Sequence, residues 1–148
     1  MRKLSDLLLA IALLGFVLTV CPAQCVHRTI PVSRVQGSVF DSLGQPIPSV
    51  EVSLKSEGKV VATTTTDDAG RFSVSASPGK YDLYANARNF EPGFAQVDVG
   101  RDLVGVLRPT HLWMILDVGE ELADQCPGTT TTSCREFDKA VQKYKQMH

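Results

Sequence analysis

The chain has 148 residues, a formal net charge of −1, 43% hydrophobic and 21% charged side chains, four cysteines and three histidines. Beyond Arg2 and Lys3, its basic residues are scattered singly apart from Lys139, Lys143 and Lys145, so no basic patch offers a grip on a polyanion and a nucleic-acid binder is excluded. The length holds one domain with a sizeable core and is too short for two.

In chain order, residues 1–23 read as a secretory signal peptide. Arg2 and Lys3 precede an apolar run from Leu7 to Val20, and Cys21-Pro22-Ala23 supplies small residues for cleavage before Gln24. The run is about 14 residues, short of the roughly 20 that span a bilayer, so no stable membrane span is expected after cleavage. A lipoprotein fits less well, because Val20 stands where a small residue should precede a lipidated cysteine. The expected location is therefore secreted or periplasmic. Export permits disulfides among Cys25, Cys126 and Cys134. Cys126 and Cys134 bracket a short polar loop and are the preferred pair, while Cys25 is left to pair with either, stay free or join two chains.

Residues 24–33 form a lead-in with Pro31 and no clear period. Residues 34–118 then carry strand signals. Arg34 to Phe40 is the first strand, and Asp41-Ser42-Leu43-Gly44 turns the chain into a proline-held extended segment, Gln45 to Pro48. Val50, Val52 and Leu54 alternate with Glu51, Ser53 and Lys55, which is the period of a half-buried strand. Ser56 to Lys59 turns, Val60 to Thr66 returns, and Asp67-Asp68-Ala69-Gly70 repeats the first turn's chemistry before Arg71 to Ala76. Strands follow at Lys80 to Ala87, at Phe94 to Val99 and, weakly, at Leu103 to Leu107. Leu112 to Val118 is apolar on both faces, which suits a central strand or one with a covered outer face.

Residues 119–148 are a loop and a C-terminal helix. Ser133 and Glu136 have the spacing of a capping box, and Phe137, Val141 and Tyr144 make an apolar stripe over a helix from Cys134 to Met147. A helix this short is marginal alone in water, so the stripe is expected to dock on its own domain or on a partner.

The sequence Gly37-Ser38-Val39-Phe40-Asp41-Ser42-Leu43-Gly44-Gln45-Pro46, followed by Thr66-Asp67-Asp68-Ala69-Gly70-Arg71-Phe72 and Pro78-Gly79-Lys80-Tyr81, resembles the carboxypeptidase regulatory-like domain over Val35 to Val99. The resemblance implies a prealbumin-like, all-β Greek-key sandwich of seven strands, of the kind grouped with carbohydrate-binding-like folds. It implies no peptidase activity, and it does not cover the helical tail.

Catalytic and cofactor signals are sparse. His27, His111 and His148 have no metal-ligand spacing, and neither a nucleophile elbow nor a phosphate loop is present, so no cofactor and no metal site is expected. Asp41, Asp67 and Asp68 are read as turn formers rather than calcium ligands. An enzyme on the transthyretin-like fold is the first alternative; the hydroxyisourate hydrolases of that fold resemble one another in a C-terminal Tyr-Arg-Gly-Ser, where this chain has Lys145-Gln146-Met147-His148. An adhesin or pilin B-type domain is the second, and its Lys–Asn isopeptide bond would have to use Asn86 or Asn89. The expected function is a non-catalytic module binding a protein or glycan at the cell envelope, with Tyr84, Trp113, Phe137 and Tyr144 as candidate contact residues. Tyr84 stands out in phase from Tyr81 and Leu83, and the loop Thr129 to Thr132 is a candidate for carrying sugars.

Overall fold

The computed structural model describes residues 28–100, 110–118 and 128–147. The expected signal peptide, His27, Cys25, Cys126 and the weak strand at Leu103–Leu107 lie outside these residues.

Two Asp-Gly turns set the frame. The Asp41 carboxylate accepts from the amides of Leu43 and Gln45 at 2.9 and 2.7 Å, and Asp67 accepts from those of Ala69 and Arg71 at 3.0 and 2.8 Å. These bonds satisfy amides that the turn removes from the ladder, and Gly44 (φ 82°) and Gly70 (φ 71°) then return the chain to extended backbone. Both carboxylates thus act as turn formers. The Arg71 amide, the largest contributor, together with its guanidinium at 2.9 Å, holds the Asp67 carboxyl below its ordinary value. A third connector, Glu57-Gly58, has φ 50° and 77°, which is the two-residue hairpin geometry that matches strand twist.

The strands are β1 (Ile30–Val32), β2 (Val35–Asp41), β3 (Glu51–Ser56), β4 (Lys59–Thr65), β5 (Arg71–Val74), β6 (Gly79–Asn86), β7 (Gly93–Val99), β8 (Leu112–Leu116) and β9 (Thr129–Thr131). They form a five-stranded sheet in the order β1-β7-β6-β3-β4 and a four-stranded sheet in the order β5-β2-β8-β9. The protein is thus a β-sandwich with nine strands among the described residues, where seven were expected. The two additional strands come from segments read as irregular. Ile30–Val32, in the lead-in, pairs parallel with Val97–Val99. Thr129–Thr131, read as a loop, pairs antiparallel with Trp113–Ile115.

Alternation places Val39, Val52, Leu54, Leu83, Val97, Leu112 and Met114 between the sheets, where they are fully buried. β8 is apolar on both faces because both are covered. Leu112, Met114 and Leu116 face the sandwich core, while Ile115 and Trp113 lie under the C-terminal helix α1 (Cys134–Met147). Phe137 and Val141 of α1 are buried there with Ile115, and Tyr144, Ala140 and Phe40 pack around them. The helix therefore docks on its own sandwich. Each fully buried side chain of the stripe contributes about 1.5–3 kcal/mol.

The helix start differs from the expected capping box. Glu136 does not return to the Ser133 amide; its carboxylate accepts from the Thr131 hydroxyl at 2.6 Å, and the same hydroxyl oxygen accepts from the Ser133 amide at 3.2 Å. Thr131 intervenes because β9 brings its buried side chain directly beneath the first turn.

Two substitutions test this frame. A Cβ on Gly70 would stand 2.5 Å from the Val39 carbonyl oxygen at a positive φ, so Gly70→Ala should cost about 2 kcal/mol or more in chemical denaturation. Gly58→Ala, with nothing within 4 Å of the added Cβ, should cost less. Phe137→Ala should lower stability by about 3 kcal/mol, and melting behaviour unchanged by that truncation would mean the helix stripe is not docked.

Candidate functional site

With α1 packed on the outer face of the four-stranded sheet, the outer face of the five-stranded sheet carries no helix among the described residues. Strand register organises it into two rungs. Ser53, Tyr84 and Phe94 lie opposite one another across β3, β6 and β7, and Lys55, Asp82 and Gln96 form the next rung. Tyr84 and Phe94 meet edge to face at 5.1 Å between ring centroids. The Lys55 ammonium reaches diagonally over the Tyr84 ring, 4.2 Å from its centroid, a cation–π contact that holds both side chains in place. On the polar rung the Gln96 amide donates to the Asp82 carboxylate at 3.4 Å.

Two open clefts flank this strip. One, of about 230 Å³, lies among Lys55, Lys80, Asp82 and Glu57. The other, of about 630 Å³, lies where β1 and β9 begin along β7, between Arg28, Phe94, Glu136 and the threonines of β9. Thr29 and Gln96 line both, so the two clefts are parts of one surface. It offers hydroxyls, one amide, both signs of charge and aromatic edges, groups that can exchange many hydrogen bonds with a ligand.

The four expected contact residues divide. Tyr84 is half-buried on the open face, as its phase implied. Trp113, Phe137 and Tyr144 are gathered on the opposite side, between α1 and the four-stranded sheet. Trp113 stacks on Phe40 at 5.7 Å and 17° and meets Phe137 at 5.1 Å, so part of the aromatic surface of this group is taken up by helix docking, while Trp113 and Tyr144 stay partly exposed. Cys134, at the start of α1, is an exposed free thiol; its expected partner Cys126 lies outside the described residues. Asn86 and Asn89 are both exposed, which removes the buried Lys–Asn pair that an isopeptide-locked domain requires. Lys55, Asp82 and Gln96 were not singled out in the sequence. They differ from other polar strand residues only in being cross-strand neighbours, which needs the pairing of β3, β6 and β7 to see.

One pair has the look of a nucleophile and its base. The Ser38 hydroxyl lies 3.0 Å from His111 Nε2, and the His111 ring packs on Trp113 at 4.7 Å. Ser38 is only 4% exposed, and among the described residues no carboxylate is hydrogen-bonded to the imidazole. The bond is better placed to tie β2 to the entry of β8 than to meet a substrate.

Two stacked sheets with a helix packed on one outer face define a β-sandwich domain. The chain belongs to the carboxypeptidase regulatory-like domain family, which matches residues 34–107. Structural protein 27 of a virus (isolate Australia/Victoria) is 37% identical over 67 residues, a match taking in 45% of this chain and 12% of the viral protein. The chain thus spans a small part of that relative's length. The solved structure of 5-hydroxyisourate hydrolase from Klebsiella pneumoniae is similar over 67% of this chain and 96% of its own, at 24% identity and a TM-score of 0.48.

Burial holds the His111 imidazole below its ordinary pKa of roughly 6.5. The folded chain then takes up a proton less readily than the unfolded chain, so stability is at its full value above the unfolded pKa and declines as pH falls toward and through the depressed folded value. Thermal melts from about pH 7.5 down to about pH 5 should show this decline, with a shallower slope for His111→Gln, which keeps a polar group near Ser38 without titrating. Parallel slopes for the two proteins would rule His111 out as the cause.

Proposed function

We propose that the chain is an exported, non-catalytic binding module that holds a glycan at the cell envelope on the outer face of its five-stranded sheet. The observation that carries the reading is the asymmetry of the sandwich. One outer face is covered by α1, whereas the other presents the Tyr84–Phe94 pair, the Lys55–Asp82–Gln96 rung and two confluent clefts, the larger lined by threonines. Threonine hydroxyls, a carboxylate and an amide can exchange hydrogen bonds with the hydroxyls of a sugar chain, and aromatic edges add apolar contact beside them. The chain's near-zero net charge is consistent with an uncharged ligand. Family membership supports a domain that works beside or for other domains. Export rests on the character of residues 1–23, and it would let the exposed Cys134 thiol form the bridge to Cys126.

A second reading, in which the domain is a building unit of a larger assembly, is favoured by the viral relative, which is named a structural protein. The two readings separate on ligand. Titration calorimetry with a panel of neutral oligosaccharides should find a binder whose affinity falls about tenfold in Tyr84→Ala and in Gln96→Ala, a loss of about 1.4 kcal/mol each. A panel without any binder, or binding that ignores both substitutions, would sink the glycan reading.

A further inference from the structure

The four sheet edges are not equally protected. β1 is three residues long and has Pro31, which lacks a donor, at its centre. β5 is four residues long and begins with Arg71, paired to Asp67. β9 is three residues long, runs into α1 and is tied to β7 by the Thr130 hydroxyl donating to the Phe94 carbonyl at 3.3 Å. Shortness, proline, charge and cover are the ordinary devices that stop an edge from pairing. β4, the remaining edge, is seven residues long and reads Lys59-Val60-Val61-Ala62-Thr63-Thr64-Thr65, with no proline and no charge after its first residue. Val60 and Val61 are 58% and 52% exposed.

Its free hydrogen-bonding groups can be assigned. The Thr66 amide donates to the Val50 carbonyl and the Thr66 carbonyl accepts from the Ser49 amide, so Thr66 faces the β3 side. By the alternation of an antiparallel ladder, Thr64 and Ala62 face the same way, and Thr63 and Thr65 turn amide and carbonyl outward. The register shift between Leu54 and Lys55 confines the irregularity to the Val60–Val61 end and leaves Ala62 to Thr65 regular.

We infer that β4 is a self-association edge, pairing antiparallel with β4 of a second copy about a two-fold axis near Thr63. Charge selects this occupant and direction. Lys59 stands at one end of the strand and exposed Asp68 just beyond the other, so antiparallel pairing of two copies brings each Lys59 toward the other's Asp68, whereas parallel pairing sets like beside like. The product is a continuous ten-stranded sheet with both glycan-facing strips on it. The inference does not depend on what those strips bind. A single edge buries little area, so the dimer is weak and concentration-dependent.

Sedimentation equilibrium of the purified chain tests it. The wild type should shift from monomer to dimer with a dissociation constant on the order of 10 to 100 μM. Thr63→Pro removes an outward donor and no internal ladder bond, and should weaken the dimer at least about tenfold with melting temperature nearly unchanged. Lys59→Asp and Asp68→Lys should each weaken it, and the double variant should restore it. A chain that stays monomeric up to roughly 1 mM overturns the inference, including the case in which β4 instead accepts a strand from another protein. A dimer indifferent to Thr63→Pro, or a charge swap that fails to restore pairing, overturns it as well.

Discussion

The structure depends on a strand that is buried twice. β8 lies in the middle of the four-stranded sheet, parallel to β2 and antiparallel to β9, and it supplies side chains to two hydrophobic clusters at once. Leu112, Met114 and Leu116 complete the core between the sheets, and Trp113 and Ile115 make the seat for α1. Neither cluster stands without the other. Without the helix the outer face of the sheet would expose Phe40, Trp113 and Ile115 as a contiguous apolar patch, the kind that soluble monomers avoid. Without the sheet the helix would lack the contacts that make so short a segment stable. The aromatic trio of Phe40, Trp113 and Phe137, with centroids 4.7 to 5.7 Å apart, adds directional contact to what area alone would contribute.

This arrangement decides which face is left for function. A symmetric sandwich would offer two outer faces, and sealing one of them concentrates the accessible aromatic and polar side chains on the other. The surviving strip is held by interactions among its own members, a cation over a ring and an amide on a carboxylate, so it is partly pre-organised before any ligand arrives.

Much of this was legible in the sequence, for local reasons. Period-two alternation marked β2, β3, β5, β6 and β7, the flanking turns and β-branched residues marked β4, and the stripe Phe137, Val141, Tyr144 gave the helix with its observed bounds. The double-faced apolarity of Leu112 to Leu116 announced a cover before the cover could be placed. The unread elements depend on partners far away in the chain. Ile30–Val32 is too short and too interrupted by Pro31 to carry a period, and it becomes a strand only because β7 leaves an edge for it. Thr129–Thr131 has the composition of a loop as well as of a strand, and pairing with Trp113 to Ile115 settles the choice. The open strip was hidden for the same reason, since Lys55, Asp82 and Gln96 become neighbours only through strand register. Tyr84 could be found alone because its neighbours in sequence sit on the opposite face.

The bond between Ser38 and His111 joins residues 73 positions apart, and the ladder it accompanies pairs the first long strand with the last apolar one. A chain wired in this way has few shortcuts to a native-like nucleus, because β2 can gain only β5 as a neighbour until the C-terminal third has been made. Such non-local pairing places folding among the slow topologies, milliseconds to seconds on the usual scale. The helix adds to the delay, since Val141 comes to rest 3.1 Å from where a side chain on Gly44 would begin, and so the earliest turn receives its final neighbour from nearly the end of the chain. The domain thus remains open and extensible for as long as its tail is missing.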